Sequence, residues 1–228
     1  GIHTDFIHLP EGNSRINVKV KHGDETEING QGPVITEEAI NELFAKLDTL
    51  TKEDILVLAG SIPNTLPEDI YEKILASLES KGIRIVVDAT KDLLLNVLKY
   101  HPFLIKPNNH ELGEMFGTVC KTDEDIVHYA KKLQEKGAVN VLISMAGDGA
   151  ILITEDGQNI KMGTPKGKVV NSVGAGDSMV AGFITGYIRG GNYEEALKSG
   201  TAAGSATAFS EGLASLEMYE KMLKQITE

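Results

Sequence analysis

Short apolar runs recur along this chain at helix-length intervals. Residues 55–59, 83–87, 103–105 and 139–143 have the length and branched-chain content of buried strands. The stretches between them, 67–80, 93–98, one opening near Asn108 and 122–136, carry helical spacing, with Gly82 and Gly137 as stops. Strands that alternate with helices need crossover connections, and these run right-handed in nearly all cases. The pattern therefore predicts an α/β fold with a mostly parallel sheet and helices on both faces.

Two regions depart from that rhythm. Residues 15–20 (Arg-Ile-Asn-Val-Lys-Val) alternate strictly, which puts Ile16, Val18 and Val20 on one face and Arg15, Asn17 and Lys19 on the other. A turn at His22-Gly23-Asp24-Glu25 and a return strand at 26–29 make a hairpin, expected as a small β flap over residues 1–33. Thr36 then caps a helix to about Thr49, opening an α/β domain at 34–228. Downstream, 150–153 and 158–162 read as an antiparallel pair across Asp156-Gly157, followed by helices near 176–189, 193–208 and 216–226.

With 228 residues, 41% hydrophobic and 24% charged, the chain can bury one ordinary core. A net charge of −11 repels nucleic-acid backbones and anionic lipid, which argues against both as partners. It leaves room for small phosphorylated ligands, because helix N-termini bind anions locally. No run approaches a membrane span, and no signal-peptide pattern opens the chain. Cys120 is the single cysteine and reads as inert, so a reducing, cytoplasmic setting is expected. The six histidines show no zinc spacing.

Four segments carry unusual chemistry, each after a predicted strand or opening a helix. In Asn171-Ser-Val-Gly174-Ala175-Gly176-Asp177, small residues leave backbone N–H groups bare at a helix start, with a carboxylate in the same turn. Asp177 is either a base beside a bound phosphate or simply the helix cap. The spacing is not a dinucleotide fingerprint, since Met179 stands where its third glycine belongs; Walker A and nucleophile-elbow patterns are absent too. In Lys106-Pro107-Asn108-Asn109-His110-Glu111, a helix start puts Asn108 and Glu111 on one face, suited to Mg²⁺ or to a surface cap. Ser144-Met145-Ala146-Gly147-Asp148-Gly149 allows close backbone approach to a flat ring or a phosphate, or is a tight turn. Ser61, in Gly60-Ser61-Ile62-Pro63, either meets a sugar hydroxyl or caps its loop.

The order of these segments is specific: KPNxxE, then SxxGxG, then GAGD opening a helix. Over essentially the whole chain it resembles the ribokinase-like, or phosphofructokinase B, family of sugar kinases. That resemblance implies a three-layer α/β fold with a flap acting as a lid, and an ATP-dependent kinase. Residues 25–33, 58–63 and 171–182 are similar to the members that convert fructose 1-phosphate to fructose 1,6-bisphosphate, with tagatose-6-phosphate kinases as the competing reading. Carried onto this sequence, the family implies Asp177 as catalytic base and Gly174, Ala175 and Gly176 as the anion hole. Lys106, Asn108 and Ser144 to Gly149, with Thr201 and Ser205, would line the ATP site. Asn108 and Glu111 would organise Mg²⁺, and Arg15, Asn17 and Ser61 would bind the phosphosugar. Backbone around Asn171, Val173, Thr207, Ser210 and Gly212 matches where some members hold a monovalent cation. Pairing through the flap would make a homodimer. Members begin with a further segment bearing a Gly-Gly-Lys-Gly-x-Asn motif, and this chain resembles one lacking roughly its first quarter. A nucleotide-binding protein without turnover is the corresponding alternative.

Overall fold

The computed structural model describes residues 2–22 and 24–227; Gly23, expected in the flap turn, lies outside them, as does the side chain of Lys19. In chain order the elements are β1 (Asn17–His22), β2 (Asp24–Asn29), α1 (Glu37–Asp48), β3 (Ile55–Ala59), α2 (Ile70–Leu78), β4 (Arg84–Asp88), α3 (Lys91–Val97) and β5 (Leu104–Ile105). There follow α4 (Asn109–Met115), α5 (Asp123–Glu135), β6 (Asn140–Ser144), β7 (Ala150–Ile153), β8 (Asn159–Met162), α6 (Ala175–Gly190), α7 (Tyr193–Ala208) and α8 (Leu216–Thr227). They divide into two compact units, Gly1–Ile55 with Ser61–Arg84 and Leu56–Gly60 with Ile85–Glu228.

In the first unit, β1 and β2 pair antiparallel, with Val18 opposite Ile28 and Val20 opposite Thr26. The apolar face predicted by the alternation stays open: Ile16, Val18, Val20 and Ile28 are between 44% and 72% exposed. Gly30 closes the ribbon by donating its N–H to Ile16 O, at a spot where a Cβ would lie 2.6 Å from that oxygen. α1 starts where predicted, with Thr36 Oγ1 accepting the Ala39 N–H, Glu37 and Glu38 in the first turn and Lys46 in the last, as the helix dipole favours. It packs on α2.

The second unit holds the sheet, ordered β3-β4-β5-β6-β7-β8. β4, β5 and β6 run parallel, and β7 runs antiparallel to both β6 and β8. All four β7 residues are buried, because α5 packs on β6 and β7 while α7 packs on β7 and β8 from the other face. The layers are therefore helix, sheet, helix, the ribokinase-like arrangement. Within the core, Asn140 is fully buried yet satisfied: its side-chain NH₂ donates to Phe103 O and Tyr193 Oη, and its Oδ1 accepts the Glu155 N–H.

α6 and α7 lie against each other at glycine distance. A Cβ on Gly182 would meet Ser199 O at 2.6 Å and Ala203 Cβ at 2.7 Å. Ser199 Oγ donates to Gly182 O at 2.7 Å, and Ser178 Oγ bonds Thr207 Oγ1 at 2.8 Å, so polar bonds lock the contact that small side chains permit. Gly182→Ala sets a gain in helix propensity of about 1 kcal/mol against overpacking of about 1–3 kcal/mol onto a backbone carbonyl. The clash should win, and urea unfolding should show a lowered midpoint. An unchanged or raised midpoint would mean the two helices separate at no cost.

Candidate active site

Parallel pairing delivers the site. In the register of β4 to β5, Val87 lies opposite Ile105, so Asp88 and Lys106 leave neighbouring strand ends together. The Lys106 N–H still donates to Val87 O, and an isolated parallel bridge of Asn108 with Ser144 carries the β5–β6 pairing onward. Lys106, Asn108 and Ser144 thus share one carboxyl edge of the sheet, where open α/β folds place ligands.

Asp177 is not the helix cap. The N-cap of α6 is Gly174, with φ of 80°, a left-handed conformation open to glycine, and no side chain bonds the first turn. Asp177 is exposed and makes no hydrogen bond or ion pair among the described residues. Around it, the Ala175 N–H is already donated to Ser172 O at 3.2 Å, while those of Gly174, Gly176 and Asp177 have no hydrogen-bond partner among the described residues. A helix start leaves its first N–H groups to be satisfied from outside. Here the free amides are those of Gly174, Gly176 and Asp177, and Ala175 has the least to offer an anion.

Asn108 and Glu111 do face each other across one turn, but as a reciprocal capping box. Asn108 Oδ1 accepts the His110 and Glu111 N–H groups at 2.9 and 2.8 Å, and Glu111 Oε2 accepts the Asn108 N–H at 2.8 Å. Both lone pairs of the amide oxygen are occupied. Glu111 Oε1 makes no hydrogen bond to the described residues. A divalent ion therefore fits Glu111, directly or through water, and does not fit Asn108 without breaking the cap. Among the described residues no cluster of three or more His, Cys, Asp or Glu side chains is arranged to hold a metal unaided.

The remaining expected residues divide by burial. Ala146, Gly147 and Asp148 are exposed on a short 3₁₀ turn, with Gly147 O accepting from Thr164 Oγ1, whereas Met145 points into the core. Thr201 and Ser205 are buried in α7, and Thr201 Oγ1 has no hydrogen-bond partner among the described residues. The loops expected to hold a monovalent cation are joined: Asn171 Nδ2 donates to Glu211 O, and Asn171 Oδ1 accepts the Val173 N–H. In the first unit Arg15 Nη2 donates to Ser61 Oγ at 3.0 Å, both side chains exposed, and Asn17 opens β1 opposite Asn29.

One charged residue escaped the sequence reading. Asp88 meets Lys106 Nζ at 3.2 Å, with little of either side chain exposed. Burial pushes the Asp88 carboxyl above the usual carboxylate range; Lys106 opposes the shift, and the nearby Asp177 and Glu111 add to it. The available signal was an apolar strand, Ile-Val-Val, ending in a carboxylate one strand away from Lys106.

A ribokinase-like sheet with free amides and a free carboxylate at one helix start describes a phosphotransferase of the sugar-kinase class. Residues 1–218 match the pfkB family of carbohydrate kinases, and the chain belongs to that family. It is 50% identical over 216 residues to a 1-phosphofructokinase of Bacillus subtilis, a match spanning 95% of this chain and 71% of that one. It is 37% identical over 224 residues to a D-tagatose-1-phosphate kinase of Bacillus licheniformis, covering 98% and 73%. Among solved structures it superposes on phosphofructokinase-2 of Escherichia coli in complex with substrates and products, with a TM-score of 0.85 and 25% identity, covering 94% of this chain and 71% of that one. A Staphylococcus aureus protein assigned as a phosphofructokinase gives 0.88 at 45% identity, covering 98% and 72%. Among the described residues no helix is long and apolar enough to cross a membrane.

Proposed function

We propose that this chain is an ATP-dependent kinase that phosphorylates fructose 1-phosphate to fructose 1,6-bisphosphate. The observation that carries the reading is the start of α6, where the unpaired Asp177 carboxylate stands among unpaired amides. The 1-phosphofructokinase relative supports the choice of sugar. In the reaction, the bond from the terminal phosphorus of ATP to the ADP oxygen breaks as a bond to the sugar hydroxyl oxygen forms. Asp177 orients that hydroxyl and takes its proton late, as the oxygen becomes acidic. The Gly174, Gly176 and Asp177 amides take up charge on the phosphoryl oxygens, and such positioning and charge stabilisation supply most of the catalysis in phosphoryl transfer. The exposed turn at Ala146, Gly147 and Asp148 offers a surface for the nucleotide. Arg15, tethered to Ser61 and assisted by Asn17, grips the phosphate already on the sugar. D-tagatose 1-phosphate is the second reading, favoured by the Bacillus licheniformis relative.

Kinetics on both phosphosugars test the assignments. Asp177→Asn keeps size and removes the proton acceptor, so kcat should fall by roughly 10²–10⁴-fold with ATP affinity nearly unchanged. Arg15→Lys removes a bidentate grip and should raise KM for the phosphosugar far more than for ATP. Near wild-type kcat in the first variant, or equal KM effects in the second, would remove those residues from their roles.

Glu111 is the residue that would hold Mg²⁺, with Asn108 fixing the turn that presents it; the bound ion would supply neutralisation of phosphate charge. Glu111→Gln keeps an acceptor for the Asn108 N–H and loses the charge. It should melt at nearly the wild-type temperature while needing more Mg²⁺ for half-maximal rate. Overlapping Mg²⁺ titrations would leave Glu111 as a cap alone.

For assembly, the exposed Ile16, Val18, Val20 and Ile28 face supports a homodimer through the flap. Sedimentation should show Val18→Lys shifted to monomer relative to the parent protein. A parent that is monomeric at micromolar concentration would rule the dimer out.

A further inference from the structure

Asp88 and Lys106 form a pair that the mechanism above does not yet use. Lys106 is only 6% exposed, a rare burial for lysine unless a partner holds it, and its ammonium meets Asp88 Oδ1 at 3.2 Å. The same nitrogen abuts the start of α6, since a Cβ built on Gly176 would lie 3.2 Å from Nζ. A side chain at 176 would crowd the ammonium against this turn. An ammonium carries three N–H donors and no acceptor. With Asp88 taking one, the others remain for an anion lodged on the unpaired Gly176 and Asp177 amides.

The pair is a poor candidate for a purely stabilising contact. Desolvation opposes the charged form of Asp88, and the neighbouring Asp177 and Glu111 oppose it further. A buried ion pair in such surroundings gains little over apolar replacements. Backbone constraint holds both residues: Lys106 N–H is bonded to Val87 O, and Asp88 O accepts the Gly60 N–H at 3.1 Å.

We infer that Asp88 is a positioning residue for phosphoryl transfer, holding the Lys106 ammonium against the free amides of α6 so that it meets the phosphoryl group leaving ATP. This rests on the kinase reading above. Without Asp88 the lysine loses the partner that aims it, and misplacement by about 1 Å can cost about 10²-fold in rate.

The test compares the wild-type protein with Asp88→Asn, Lys106→Met and the double variant. Two readouts are taken: kcat and KM for fructose 1-phosphate, and calorimetric affinities for ATP and ADP. Each single change should lower kcat by roughly 10- to 100-fold with KM for the sugar within about twofold. Each should also shrink the preference for ATP over ADP, because the contact is to the transferred group. The double variant should be no slower than Lys106→Met alone, since Asp88 acts through Lys106. It carries neither charge, so it remains informative if Asp88→Asn leaves the ammonium uncompensated and fails to fold. A double variant slower than Lys106→Met, or an ATP preference unchanged in Asp88→Asn, would overturn the inference while the kinase reading stands. A wild-type protein that neither binds ATP nor turns over a phosphosugar would overturn both.

Discussion

The parallel register of β4, β5 and β6 is the constraint on which the rest of the site depends. Parallel neighbours cannot be joined by a hairpin, so each strand end is followed by a crossover, and consecutive strand ends collect on one edge of the sheet. One residue of slip would send Lys106 to the opposite face and part it from Asp88. The strands resist such slips because both faces are covered. Val86, Val87, Leu104, Ile105, Val141, Leu142 and Ile143 are essentially inaccessible to solvent.

A second constraint acts across the helices. α6 brings the free amides and Asp177, and its place is set by α7 through contacts only small residues allow. α7 is buried at ten of its sixteen positions, and apart from Leu197 those positions are alanine, glycine, serine and threonine. Close approach substitutes for side-chain volume there, and each buried hydroxyl then needs a partner. Ser199 and Thr207 find theirs on α6, and Thr201 Oγ1 has none among the described residues.

This explains which parts were legible in the sequence. Strand positions were readable because apolar runs of the right length have few other uses, and β3 and β7 fall on the predicted residues. α7 spans 193–208 as expected because Asn192 caps it and the pattern ends at Phe209. The environment of α7 was not legible, since serine and threonine at a glycine-distance contact look the same in sequence as serine and threonine lining a ligand. Thr201 and Ser205 carried that ambiguity, and both are buried. Asn108 and Glu111 show a different limit. Their spacing serves a capping box and a metal equally well, and hydrogen-bond occupancy, which separates the two, exists only in three dimensions. Asp88 was missed because its meaning depends on a partner eighteen residues away, joined to it by strand pairing.

The charges at this edge set a requirement that any phosphate ligand must meet. Asp88, Glu111 and Asp177 are close enough for the last two to push the first upward, and Lys106 is the ammonium among them. Taken as ionised, the four side chains sum to an excess of negative charge, in a chain whose net charge is already −11. Free amides contribute only partial positive charge at a helix start, about half an elementary charge for the whole terminus. A polyphosphate lodging there on Lys106 and the amides alone would face net repulsion in a partly buried, low-dielectric setting. The arrangement therefore favours a phosphate that arrives with its own counter-charge. It also gives Lys106 a value out of proportion to its size, because the ion pair with Asp88 fixes a full positive charge in place before any ligand binds.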